Sequence, residues 1–298
     1  DTDADGDTDA DGDTDSDGDV DADADSDSDF DGDEDEDLDQ VDADADAEVD
    51  VEADAGPCSR TVTGGIAIFD PEIEPGYGWE QLDGVAVVDG MLAVASSVPP
   101  PSGTLCLEEV TGTLAVGDGT VHGPTTMEWF ERLRRIGGDF KPASPLQNVD
   151  GLESLEEVGG VIPLHSALSS VDGFRGLRRV GRGICWEGAT DVSSFSGFSN
   201  LEMIDGIGVT EDSCLCSSLF GCVGSPGSVL IIIGLTSRTG EFFDTDLFSS
   251  LTTLGGGLEI SGRFVPQCAV DDLVEQLRAS GWTGPDHSHD NGGTATCE

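Results

Sequence analysis

The sequence predicts a mainly β protein: a coiled β-solenoid closed by a C-terminal helix and preceded by a disordered acidic tail. Three observations carry that expectation. Residues 1–57 alternate Asp with small residues and contain no Lys or Arg. The chain after them repeats an apolar pattern at steps of 22–28 residues. Of the 42 Gly, 37 lie outside the tail, as expected where each coil must turn several corners.

The tail comes first. Of 62 acidic residues, 29 fall within 1–57, against 12 basic residues in the whole chain, all of them beyond it. Such a segment is repelled by phosphate backbones and anionic lipid, which excludes nucleic acid as a partner. It also lacks the apolar surface to offset its ordering entropy. Every odd position from Asp1 to Asp39 is Asp. Pieces such as DTDADGD look like the first half of a calcium loop, whose twelfth position is a bidentate Glu. Counted from Asp1 that position is Gly12, and from Asp13 it is Ala24, so no EF-hand is expected. A looser resemblance to the Asp-rich calcium repeats of thrombospondin type 3 lacks their Cys punctuation. The tail reads as a solvated, self-repelling spacer. Weak calcium association is expected along Asp1, Asp3, Asp5, Asp7, Asp9, Asp11, Asp13, Asp15 and Asp17; no cofactor is required.

The repeat organises the rest. It reads LEEVTGTL at 107–114, LRRIGGDF at 133–140, LEEVGGVI at 155–162, LRRVGRGI at 177–184, LEMIDGIG at 201–208 and LTTLGGGL at 251–258. Weaker copies are RTVTGGIAI at 60–68, VAVVDGML at 85–92 and VLIIIGLT at 229–236, each counted as a coil. A second anchor runs in register with the first: LQNVDGL at 146–152, LSSVDGF at 168–174 and VSSFSGF at 192–198. A period this short suits one coil of a β-solenoid rather than a pair of helices. Leu and Val at fixed phase then stack on their equivalents one coil away.

The units L-x-x-V-D-G-[LF]-x-x-L-x-x-[VI]-G-G, as in Leu146–Gly160 and Leu168–Gly181, resemble the receptor L domain. The resemblance spans roughly 59–265 and is sharpest over 130–207. It implies a right-handed, leucine-rich-like β-helix of the kind carried by receptor ectodomains and bacterial surface proteins. The sequence departs from it at an insert, 209–228. The expected organisation is therefore a spacer at 1–57 and a solenoid domain at 58–298, with a C-terminal cap over 266–298.

A solenoid needs capped ends. Val270, Leu273, Val274 and Leu277 share one helical face within AVDDLVEQLRAS at 269–280, and Gly281 is a natural stop. Eight Cys in spacings that match no zinc template favour disulfides and an oxidising compartment. Cys268 with Cys297 is the best pair. Cys185, Cys214, Cys216 and Cys222 are expected to pair among themselves, leaving Cys58 with Cys106. That last pair conflicts with the register, which sets the two residues two coils apart, roughly 9–10 Å. In successive coils Arg134 and Arg135, Glu156 and Glu157, then Arg178 and Arg179 occupy the same slots. The four Arg form either a basic recognition strip or the positive rungs of a structural charge ladder, the latter being favoured.

Signatures of catalysis are thin. No HExxH, GxSxG, phosphate-binding Gly loop or Cys/His nucleophile pattern occurs. His287 and His289 in DHSHD lie in a Gly-rich terminal loop, and Asp150 and Asp172 fall at turn-forming V-D-G corners. No apolar run reaches the roughly 18 residues of a membrane helix. The chain starts at Asp1 without Met, as a processed product would. The expectation is a non-enzymatic extracellular or cell-surface protein, such as an outer-membrane lipoprotein freed of its signal segment. Its solenoid would meet a protein or glycan at that surface. The alternative is a carbohydrate-active β-helix of the polysaccharide lyase type, which predicts two or more Asp with Arg lining a groove.

Overall fold

In a computed structural model the apolar repeat folds into stacked parallel strands. The structure describes residues 58–101, 103–164, 168–187, 196–209, 216–218, 221–223, 227–233, 248–262 and 265–291. The chain divides into two units, Asp1–Glu48 and Val49–Glu298, and every described residue belongs to the second. The Asp-rich tail and its calcium candidates, Asp1 through Asp17, lie outside the described residues.

The strands are β1 (Arg60–Thr63), β2 (Ile66–Phe69), β3 (Val85–Asp89), β4 (Leu92–Ala95), β5 (Glu109–Val110), β6 (Leu114–Val116), β7 (Arg135–Ile136), β8 (Phe140–Pro142) and β9 (Glu157–Val158). They continue as β10 (Val161–Leu164), β11 (Arg179–Val180), β12 (Gly183–Glu187), β13 (Met203–Ile204), β14 (Cys216–Ser218), β15 (Gly221–Val223), β16 (Ser228–Ile233), β17 (Thr253–Leu254) and β18 (Gly257–Ser261). An α-helix, α1 (Gln267–Ala279), follows. The first stroke of each coil joins an eight-stranded parallel sheet, β1-β3-β5-β7-β9-β11-β13-β17. The second strokes form two four-stranded sheets, β2-β4-β6-β8 and β10-β12-β16-β18. They break between β8 and β10, where Val161 N–H donates to the Asp139 carboxylate (2.9 Å) rather than to a carbonyl. Pro163, further along β10, has no N–H to offer.

The register follows the sequence repeat residue for residue over much of its length. Val87, Glu109, Arg135, Glu157, Arg179 and Met203 stand side by side in successive strands. A bulge between Arg60 and Thr61 shifts only the first coil. The second anchor is in phase too, with Asn148 bridging Ser170. Its V-D-G corners are turns in which Asn148 Oδ1 and Ser170 Oγ accept from the amides of Asp150 and Asp172.

Two expectations are corrected. The run VLIII at 229–233 is not a coil of its own. β16 pairs with β12 and β18 in the second-stroke sheet, and β13 pairs directly with β17, so β13 and β16 are the first and second strokes of one long coil. The run mimicked a coil start because it is buried on both faces: Leu230 and Ile232 face the main core, and Ile231 packs outside with Val161 and Cys185. The extra length of that coil includes the antiparallel hairpin β14–β15. Second, Cys58 and Cys106 are bonded, with Cα atoms 5.2 Å apart, although they flank strands two rungs apart. Both the register and the pairing hold. The distance objection fails because Cys58 precedes β1 and Cys106 precedes β5, so neither Cα is held at the spacing of paired strand positions.

Inside, Phe140, Phe174, Phe198 and Phe248 form a buried aromatic column, with successive centroids 5.9, 5.3 and 5.5 Å apart. At the corners, Gly159 and Gly181 lie against the backbone of the preceding coil, and a Cβ would run into the carbonyls of Gly137 and Gly159. The C-terminal end is covered as the periodicity predicts. Ala269, Val270, Leu273 and Leu277 of α1 are buried, and Val274 is partly so. Gln276 Nε2 donates to the carbonyls of Phe248 and Leu251, and Gly281 ends the helix with φ +94°.

Candidate functional site

The outward face of the eight-stranded sheet gathers the four Arg singled out from the sequence. Since slots two residues wide repeat coil after coil, their side chains stand in rows roughly one strand spacing apart. In one row Arg135 meets Glu109 at 2.8 Å and Glu157 at 3.4 Å, and Arg179 meets Glu157 at 3.7 Å and Asp205 at 2.7 Å. Beside it, Arg134 pairs with Glu156 (3.7 Å), Arg178 with Glu202 (2.7 Å) and Arg132 with Glu108 (2.9 Å). The hydrogen bond and charge of Asp205, with the charge of Glu157, hold the Arg179 guanidinium above its ordinary pKa. Each of the four Arg is thus neutralised locally, and the surface is a flat lattice of alternating charge.

Exposed pairs of this kind each contribute about 0–1 kcal/mol and are screened by salt. Arg135→Gln is therefore expected to destabilise only slightly, by less than any core truncation. The loss should shrink as salt is raised in urea titrations run at low and high ionic strength.

A second cluster escaped the sequence reading. Asp70, just after β2, is 8% exposed. Its carboxylate accepts from Ser96 Oγ (2.8 Å), Ser97 N–H (2.8 Å), Ser97 Oγ (2.9 Å) and Val98 N–H (3.3 Å), and His122 Nδ1 lies 3.9 Å away. Burial raises the Asp70 pKa, but the bonds from Ser96, Ser97 and Val98 together outweigh it and hold the group below its ordinary 3.8. Asp, His and Ser meet here without forming a nucleophilic triad, because both hydroxyls donate to the carboxylate rather than to the imidazole. The signal was present: Phe69 pairs with Ala95, so Asp70 and Ser96 hold the same slot in successive coils.

Asp70→Asn should cost about 1–3 kcal/mol through the loss of charged hydrogen bonds. A depressed pKa contributes stability that is fully present above the unfolded value and is lost as pH falls through the folded one. The wild-type advantage over Asp70→Asn should accordingly fade below about pH 4 in paired denaturant titrations.

The His-rich terminus also differs from expectation. Residues 285–289 run parallel along the free edge of β18, Asp286 bridging Leu258 and His289 bridging Ser261. Ser288 Oγ and Asn291 Oδ1 accept from the amides of Ile260 and Gly262, so side chains finish the ladder and close the edge. His287 and His289 are thereby fixed on a scaffold. Among the described residues no group of three or more His, Cys, Asp or Glu is placed to hold a metal ion. Asp172, Arg175 and Ser196 border a shallow depression of about 280 Å³, in which Ser196 Oγ donates to Asp172 (2.8 Å).

Of the remaining cysteines, Cys185 and Cys268 are each disulfide-bonded. Cys214 and Cys297 lie outside the described residues, and Cys216 and Cys222 are described only as backbone of the β14–β15 hairpin. No family model, curated protein or solved structure matches the chain.

Proposed function

We propose that the chain is a non-enzymatic secreted or surface-anchored protein whose solenoid, of the receptor L-domain kind, serves as a recognition or structural module on an acidic spacer. The observation that carries this reading is the broad parallel sheet with its outward charges paired into a lattice. Such a face offers shape and patterned polarity to a protein or glycan partner, with its Arg already engaged by carboxylates rather than held for chemistry. The Cys58–Cys106 bond, and the disulfides at Cys185 and Cys268, support an oxidising compartment. No helix among the described residues is long and apolar enough to cross a membrane, which fits attachment through a segment other than the solenoid. Calcium association belongs to the tail and is not needed by the fold.

The test separates this reading from a lyase. The full chain is incubated with polygalacturonate and with alginate, with and without calcium, and unsaturated uronide product is followed by ultraviolet absorbance. The reading predicts no product under either condition. Turnover that depends on protein concentration would contradict it.

A further inference from the structure

Between the last coil and the chain leaving α1 lies a cleft of about 940 Å³, within the range of small-molecule sites. Its floor is the corner Gly255–Gly257, and its wall includes Arg278, Trp282, Thr283 and His287. In a chain with 62 acidic residues, no Asp or Glu is among the described residues that line it.

Arg278 is held in place without a carboxylate. Nη1 donates to Trp282 O (3.0 Å) and Nη2 to Gly284 O (2.8 Å). The guanidinium sits 4.1 Å above the Trp282 ring, and Trp282 Nε1 donates to Gly256 O (2.8 Å), tying the stack to the floor. Arg132, Arg134, Arg135, Arg175, Arg178 and Arg179 each have a carboxylate within 4 Å, whereas the described partners of Arg278 are carbonyls alone. A guanidinium carries five N–H donors. Two serve the carbonyls, so three remain on a cation that meets no carboxylate among the described residues of the cleft.

We infer that this cleft binds a carboxylate-bearing, hydroxyl-rich small molecule, an acidic sugar of about disaccharide size. The anion is selected by Arg278, whose fork suits a carboxylate and whose ordering entropy is already met by the Trp282 stack. The hydroxyls are matched by the polar rim of Thr283 and His287 over a glycine floor that leaves room for a ring. The site lies at the capped end of the solenoid rather than on its charge lattice, so it stands independently of the function proposed above.

The experiment uses the full chain and three probes: digalacturonate, neutral lactose and inorganic sulfate. Binding is followed by calorimetry and by the indole N–H resonance of Trp282. Saturable binding of digalacturonate with a shift of that resonance is expected, with lactose and sulfate each weaker by about tenfold or more. Arg278→Gln should weaken digalacturonate by about tenfold or more. Thr283→Glu, an exposed change that adds a negative charge to the rim, should do likewise with unchanged thermal unfolding, and it decides the matter if Arg278→Gln fails to fold. Absence of binding, equal affinity for lactose or for sulfate, or indifference to Thr283→Glu would each overturn the inference. Uronide cleavage would sink the non-enzymatic reading while leaving this binding result standing.

Discussion

Phe174→Ala is expected to lower unfolding free energy by about 3–5 kcal/mol, enough to remove much of the margin of an ordinary domain. Phe174 is fully buried and sits mid-column, 5.9 Å from Phe140 and 5.3 Å from Phe198. Its loss leaves a cavity between coils that cannot collapse, because the backbones on either side are fixed by the inter-coil ladders. The transfer of the ring to water and the residual void therefore add together. Phe174→Leu refills most of the space and should recover more than half of the loss. Urea unfolding of the three proteins, followed by near-ultraviolet circular dichroism, measures both effects.

Gly159→Ala is the second large effect. The preceding coil passes so close that a Cβ at 159 would meet the Gly137 carbonyl, and neither backbone can move without breaking pairs above and below. Overpacking against side chains costs about 1–3 kcal/mol, and a clash with fixed backbone belongs at or beyond the top of that range. The control is Gly65→Ala. Gly65 lies at the corner of the first coil, its nearest contact would be Met91 O at 3.7 Å, and its φ lies outside the left-handed region. There the substitution should be neutral or stabilising by up to about 1 kcal/mol, through reduced freedom of the unfolded chain.

The same contrast explains what could be read from the sequence. Wherever a residue acts through its equivalent one coil away, its role is written in the period: Leu155 under Leu177, Arg135 against Glu157, Val270 and Leu277 over the last coil. The charge lattice was legible for that reason. Asp70 was not, because Ser96, Ser97 and His122 come from loops of unequal length, although the shared slot with Ser96 would have given half of the cluster. The bridging segment at 285–289 was missed because its composition is that of a loop, and Ser288 and Asn291 stand in for backbone groups. The run at 229–233 misled in the opposite sense. Its hydrophobicity fits any buried strand, and Gly234 falls in the slot that Gly112 and Gly206 hold after true first strokes, so nothing local separated a second stroke from a first.

That last point is also where the architecture is most exposed to test. In the structure β13 and β17 are direct neighbours, and Thr252 N–H donates to the Glu202 carbonyl at 3.0 Å across 50 residues of chain, with Thr253 beside Met203. Backbone nuclear Overhauser contacts in the deuterated full chain measure this directly. The account predicts contacts from the Thr253 amide to the Met203 strand, and from Ile231 to Cys185 and Glu259. Contacts from Thr253 to Ile231, with Ile231 in turn against Met203, would restore the run as a coil of its own and contradict it.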